Sequence, residues 1–251
     1  ASNDELFYEL PVQSDLVEPH GGELVDQEAN DDDKLTIEGS KVITIGTDIL
    51  NDCQLIATGV YSPLVGFMDE STLETVLEHH KLPNGLVWPM PVVLIVTEEV
   101  ARSVTAGERI VLASVQGDTY AIMDLTSVFR IDVNDVAKAW FGTSSRDHPG
   151  VKRFSTLGDW LLAGPIKLLH SFGQENAPYE LTPEQCRFIF SQKGPQKFSG
   201  ASRRVWGNSC LISKSRDQGR MSYFGYAEVT GFLYSCLIQT PKPHVLYTGG
   251  G

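Results

Sequence analysis

The chain has 251 residues, 41% of them hydrophobic and 21% charged, a globular composition. A chain of this length buries roughly 70% of its unfolded surface without disulfide or metal staples. Its net charge of −12 is unevenly split: residues 195–251 hold seven Lys/Arg and two Asp/Glu, so residues 1–194 hold 13 and 30, a net of −17. An acidic body of this kind repels phosphate backbones, which argues against a nucleic-acid partner, and no apolar run approaches the roughly 20 residues of a membrane span.

Cys53, Cys186, Cys210 and Cys236 lie far apart with no CxxC pair. That spacing argues against a zinc site and for a reducing compartment, the cytoplasm or, in a eukaryote, a plastid. The sequence opens on Ala1 with no charged-then-apolar signal, pointing to a processed or partial chain.

Along the chain, residues 1–34 read as an exposed acidic arm, with one tight turn at EPHGGELV and a solvated DDDK run. KVITI (41–45) is a β-branched strand. Thr47 is placed to cap a helix with Ile49, Cys53 and Ile56 on one face, and Gly59 supplies a left-handed stop. A second helix starts near STLE, where Ser71 and Glu74 have capping-box spacing and Leu73, Val76 and Leu77 form the apolar stripe. Between the two helices lies YSPLVGFM. Pro63 stiffens it and Gly66 permits positive φ, while Tyr61, Leu64, Phe67 and Met68 are too apolar for water. The loop therefore packs inward as a hydrophobic anchor.

VVLIV (92–96) is a buried strand, TEEVARSV one or two helical turns, and ERIVLASVQGDTYAIMDL a hairpin with a Gln-Gly-Asp turn. VNDVAKAWFG is a short helix ending at Gly142; HPGVKRF and LAGPIKLL are extended pieces. Short strands, frequent Gly/Pro turns and short helices give an α+β fold, a small partly open β-barrel with helical decoration. Residues 173–180 form a linker. LTPEQCRFIF then opens a new helix, with Thr182 as cap, Pro183 at its first position, Gln185 closing the box and Leu181 stapled onto Cys186.

Taken in order, these pieces resemble ATP sulfurylase (sulfate adenylyltransferase). The family pattern is read at PHGGELV, LIATGVYSPLVGFM, LPNGLVWPMP, GTSSRDHPGV, AGPIKLL and LTPEQCRFIF, over roughly residues 16–193. The resemblance implies that residues 1–172 form the family's amino-terminal PUA-like domain. Residues 181–194 would then be the first helix of its catalytic α/β nucleotidyltransferase domain. The implied reaction joins Mg-ATP and sulfate into adenosine 5′-phosphosulfate and pyrophosphate, a step that needs cations around a crowded anionic centre. The family supplies them with QTRNP-x-H-x-x-H and GRDHAG segments, and neither stands in this sequence. No catalytic, cofactor or metal residue is therefore assigned, and the chain alone is expected to be inactive.

SRDHPG (145–150) imitates GRDHAG but lies inside the amino-terminal element, so Arg146, Asp147 and His148 are read as turn residues. The adjacent pair His79 and His80 points to different helix faces and chelates poorly. From Gly194 onward the family pattern is lost where the charge changes sign. Residues 195–251 read as a divergent, unstructured tail, produced by a reading-frame change or by genuine divergence. Its RRVWGN and KSRDQGR segments mix basic and aromatic residues, and its terminal TGGG lacks phosphate-loop context. The resemblance also leaves a second class of function: a freestanding PUA-like module that docks on a full-length ATP sulfurylase or on RNA. Partners implied are a catalytic domain or a homo-oligomer.

Overall fold

A computed structural model describes residues 18–35, 37–170 and 181–193, and the backbone of 210–212, 215–217, 220–222 and 225–227. The tail segments RRVWGN and TGGG, Cys236 and the expected linker 173–180 lie outside the described residues. In chain order the elements are α1 (Asp31–Leu35), β1 (Lys41–Thr44), α2 (Thr47–Ala57), β2 (Gly66–Phe67), α3 (Glu70–His79), β3 (Leu94–Val96) and α4 (Glu98–Arg102). Then follow β4 (Arg109–Ala113), β5 (Thr119–Asp124), β6 (Ser127–Arg130), α5 (Val133–Phe141), α6 (Pro149–Phe154), β7 (Trp160–Leu168) and α7 (Pro183–Lys193). The last four are β8 (Cys210–Ile212), β9 (Ser215–Asp217), β10 (Arg220–Ser222) and β11 (Gly225–Ala227).

Seven strands form one curled sheet in the order β1-β4-β5-β7-β2, with β3 and β6 also bonded to β7. β7 is its axis. Its first half runs between β6 and β3, with Leu162 opposite both Val128 and Leu94. Its second half runs between β5 and β2, where Met123 faces Ile166 and Phe67 faces Gly164. The switch occurs at Gly164, which has φ +150; a Cβ there would stand 2.1 Å from the Asp124 carbonyl oxygen. Across the seam, a Cβ on Gly66 would stand 2.0 Å from the Gly164 oxygen and 2.5 Å from Pro165 Cα. These are backbone atoms that cannot step aside, so both positions exclude any side chain. The expectation of a positive φ at Gly66 is corrected: the residue is extended, and close approach rather than backbone handedness requires it.

The inner face of the sheet and the helices enclose the main core. Tyr61, Ile56, Leu94, Ile110, Leu112 and Leu162 are fully or almost fully buried in it. The inward-packing loop is confirmed, with Tyr61 0%, Phe67 4% and Met68 3% exposed. Two caps move. The N-cap of α2 is Gly46, with no side-chain bond, and Thr47 is already helical. That of α3 is Asp69, whose carboxylate accepts from Thr72 N at 2.8 Å, because Asp69 precedes Ser71 and takes the free amide first. HPGVKRF is helical, not extended. Pro149 occupies the first turn of α6 and His148 caps it, so the Pro-Gly pair starts a helix instead of breaking a strand.

The arm is not uniformly exposed either. Residues 18–35 run back over the sheet: Ala29 N donates to Leu168 O, and Ala29 and Ile37 cover the outer-face cluster of Val111, Ile122 and Leu169. Asp31 and Asp32 stay in water, but Asp33 is 7% exposed. The tail, expected unstructured, holds two antiparallel pairs in its described part, β8 with β11 and β9 with β10. Ile212 stands opposite Gly225 in one pair and Ser215 opposite Ser222 in the other.

Gly66→Ala is expected to cost about 3 kcal/mol of stability, since the clash is with fixed backbone. Urea unfolding followed by tryptophan fluorescence measures it; a loss below about 1 kcal/mol would show that β2 and β7 can separate without cost.

Candidate functional site

The buried acid–aromatic chain starts where α2 stops. Thr58 closes the helix, Gly59 takes φ +81, and the reversed chain returns Tyr61 alongside α2, its amide donating to Leu55 O. This places the Tyr61 hydroxyl 3.3 Å from Asp52 Oδ1, to which it donates. Ser62 fixes the turn: its hydroxyl donates to Gly59 O at 2.6 Å and accepts from Val25 N at 2.9 Å, tying the N-terminal segment to the loop. Trp88 meets Tyr61 edge-on at 6.1 Å, and its indole N–H donates to Met90 O at 2.6 Å. His20 of the PHGG turn stacks on Trp88 at 6.2 Å. Its Nε2 lies 2.9 Å from Val87 O, an atom that only accepts, so Nε2 carries the proton.

Asp52 is half-buried as a residue, but its carboxyl end lies against Tyr61. Burial pushes its pKa up to about 7, against the smaller opposing effect of the Tyr61 hydrogen bond. Burial first and Asp52 second raise the Tyr61 phenol and the Cys53 thiol. Cys53 is thus an inert, fully buried thiol at neutral pH, not a nucleophile. The group holds protons in place; it offers no nucleophile and no convergent cation.

Several cations elsewhere are paired with carboxylates. Arg109 grips Asp124 in a two-pronged pair at 2.6 and 3.0 Å. Lys167 donates to both oxygens of Asp33 at 2.7 and 2.9 Å, and this bond holds the Asp33 carboxyl below its ordinary range. Arg130 pairs with Asp159, Arg153 with Asp48, and Arg102 with Glu98.

Arg146, Asp147 and His148 are exposed and meet no further acid–base group. The Ser145 hydroxyl bonds Asp147 at 3.2 Å, and His148 Nδ1 accepts from Val151 N at 3.4 Å, as turn residues do. His79 ends α3 and His80 is its left-handed cap, both in water. Among the described residues, no group of three or more His, Cys, Asp or Glu is placed to hold a metal, and no helix is long and apolar enough to cross a membrane.

Sequence reading missed Asp52, Asp33, His20 and Trp88. Signals existed. Asp52 lies three positions after Ile49 and four before Ile56, at the rim of the apolar stripe. Lys167 interrupts the apolar run LLAGPIKLL, and a lysine there demands an acid.

For Asp52 the sign of the pH effect follows from the raised value. The neutral acid favours the fold, so its contribution is fully present below the ordinary 3.8 and is lost as pH rises through about 7. The parent chain is expected to lose urea stability between about pH 4 and pH 7. Asp52→Asn, which stays neutral and still accepts from Tyr61, is expected to lose distinctly less. Equal pH slopes would show Asp52 to be ionised in the fold.

Three comparisons bear on identity. Residues 17–171 match the model of the PUA-like domain family. The sulfate adenylyltransferase of Synechococcus sp. is 33% identical over 200 residues, 78% of this chain and 51% of that protein. That of Trichodesmium erythraeum is 34% identical over 190 residues, 74% and 49%. The chain thus spans about half the length of the curated relatives it matches. Among solved structures, the hexameric APS kinase from Thiobacillus denitrificans shares the fold, with TM-score 0.57 and 23% identity over 72% of this chain and 33% of that one. The chain belongs to the PUA-like domain family, and the relatives it resembles within it are sulfate adenylyltransferases.

Proposed function

We propose that this chain is the amino-terminal part of a sulfate adenylyltransferase, and that its domain supports adenylyl transfer without performing it. The reaction of the relatives, taken over here as a proposal, brings Mg-ATP to sulfate. A triphosphate needs unpaired cations converging on one point. The carrying observation is that Arg102, Arg109, Arg130, Arg153 and Lys167, spread over separate parts of the domain, are each bound to a carboxylate, and that Lys41, Lys81, Lys138, Arg146 and Lys152, which are not, are divided among β1, the turn after α3, α5, the α5–α6 turn and α6. The paired donors do not form a nucleotide-binding centre, and no step is routed through them. Residues 173–180 are taken as a linker and α7 as the start of a following domain. Its own cap favours that reading: Thr182 N donates to Gln185 Oε1 at 3.0 Å and Gln185 N to Thr182 Oγ1 at 3.2 Å. Neither the QTRNP-x-H-x-x-H nor the GRDHAG segment stands in these 251 residues. A reaction that consumes ATP suits the cytoplasm or a plastid.

Incubated with ATP, Mg²⁺ and sulfate, the 251-residue chain is expected to release no pyrophosphate above background. Sulfate-dependent release at rates near those of a complete enzyme would overturn the assignment of the chemistry to segments this chain lacks.

A further inference from the structure

One surface is both apolar and cationic. Residues 133–154, which span α5 and α6, carry four cations against two carboxylates in a body that is otherwise strongly acidic. Arg153 is taken by Asp48, but Lys138, Arg146 and Lys152 pair with no carboxylate among the described residues. The same helices hold a ring cluster. Trp140 stacks on Phe141 at 4.5 Å, and Phe141 meets His148 at 5.1 Å. Phe154, in the core, meets Trp140 edge-on at 5.7 Å. Lys138 lies three positions before Phe141 and Lys152 four after His148, about one helical turn in each case, so both lysines flank the rings. His148 is exposed, Trp140 and Phe141 are half-buried, and Leu157, just past α6, is 43% exposed.

The stacking decides what kind of partner fits. Ring faces are turned on one another, which leaves edges outward, and aromatic edges carry positive potential. Edges together with ammonium and guanidinium groups suit a short segment in which carboxylates stand among apolar side chains. A nucleic acid would want free ring faces for its bases. The chain contains such a segment outside the described residues. Residues 1–17 hold four carboxylates, Asp4, Glu5, Glu9 and Asp15, and no Lys or Arg. In DELFYEL (4–10), Asp4, Glu5 and Glu9 stand among Leu6, Phe7, Tyr8 and Leu10. The tail beyond residue 194, with seven Lys/Arg against two Asp/Glu, has the wrong sign.

The segment starts close enough to reach this surface. The described chain begins beside the C-terminal end of α3: His20 bonds Val87 O and stacks on Trp88, whose amide donates at 2.8 Å to the carbonyl of His80, the cap of α3. In turn, α3 packs on α5. The path to the rings is of the order of one helix length, about 15 Å for the ten residues of α3, and one interhelical spacing, about 10 Å. Residues 11–17 span up to about 25 Å when extended. We propose that residues 4–10 dock on the α5–α6 surface of their own molecule. Leu6, Phe7 and Leu10 lie against Trp140, Phe141 and Leu157, and Asp4, Glu5 and Glu9 turn toward Lys138, Arg146 and Lys152. The contact is intramolecular, so its occupancy does not depend on protein concentration. It is independent of the function proposed above.

Limited chymotrypsin digestion of the folded 251-residue chain, read by mass spectrometry, reports docking as slow cleavage after Phe7 and Tyr8. Each rate is normalised to that of a short peptide substrate. At low salt the parent chain is expected to be cleaved there at least about tenfold more slowly than K138E/K152E, as lost complementary charge implies. Salt at about 0.5 M is expected to remove the difference. E5K/E9K is expected to be cleaved as fast as K138E/K152E, and the combined E5K/E9K/K138E/K152E chain, whose charges are complementary again, is expected to be slow. Circular dichroism shows that each variant is folded, and the salt dependence of the parent tests the contact without any substitution. Equal rates for parent and K138E/K152E, a parent rate unmoved by salt, or a combined variant as open as its components would each overturn the proposal. So would protection that grows with protein concentration, which would put the segment on another copy, or tight binding of poly-uridine that K138E/K152E abolishes, which would make the surface a nucleic-acid site.

Discussion

The structure depends on two backbones passing without a side chain between them. At Gly66 and Gly164 the loop strand β2 and the axial strand β7 approach so closely that a single Cβ would enter the opposing peptide. Through β7 this contact reaches nearly everything: β2, β3, β5 and β6 all bond to it, and the N-terminal segment bonds to its end at Leu168. The apolar loop before β2 is held by the same approach. Tyr61, Phe67 and Met68 are not simply hydrophobic residues seeking a core. They are carried inward because the two glycines let their strand lie against β7, and their burial in turn holds the strand there. Met68 N donates to Val92 O at 3.0 Å, extending the attachment toward β3.

Charge is zoned on this scaffold. Each exposed pair contributes little to stability, about 0–1 kcal/mol, so the ion pairs are better understood by what they remove. They spend the cations and leave a surplus of carboxylates, which sets the acidic field of the domain. Lys167 and Asp33 differ from the rest, since the carboxylate is almost wholly withdrawn from water and the lysine rises from an apolar strand. That pair locks the acidic N-terminal segment onto the sheet, closing the outer face that the curled sheet would otherwise expose.

Much of the architecture was legible in the sequence, because period and punctuation specify it. The β4–β5 hairpin, the helix ending at Gly142 and the inward loop follow from alternation, glycine placement and the cost of leaving Phe and Met in water. What was not legible depended on partners distant in sequence. Asp33 looks like one of three solvated acids until Lys167, 134 residues away, reaches it. Gly66 looks like a turn glycine until β7 lies across it. His148-Pro149-Gly150 looks like a strand break, yet Pro149 suits the first turn of a helix and Gly150 leaves room for Phe141, whose ring a Cβ would approach to 2.8 Å. Caps failed by one or two residues for a local reason: the helices begin at Thr47 and Glu70, so Gly46 and Asp69 hold the cap positions, and of the two only Asp69 has a side chain that bonds a free amide. The candidate site was the least legible part, since the acid–aromatic chain joins His20, Asp52, Tyr61 and Trp88 from four separate segments.

The two ends of the described chain then follow different rules. Up to β7, strands share one sheet, cations meet carboxylates and apolar side chains find a common core. The strands β8 to β11 pair only with one another, two by two. A two-stranded hairpin is marginal on its own, since it has one ladder and no layer to bury against. These paired strands also lie in the segment whose charge is opposite to that of the domain, seven cations against two carboxylates. A pattern shared with the relatives, a shared core and a shared sign of charge run together through the domain. The sign of charge changes where that pattern ends, and the strands beyond it join no part of the curled sheet. On the function proposed for this domain, packing and ion pairing build a scaffold, and a site for a triphosphate calls for a different arrangement of charge, with unpaired cations converging on one point.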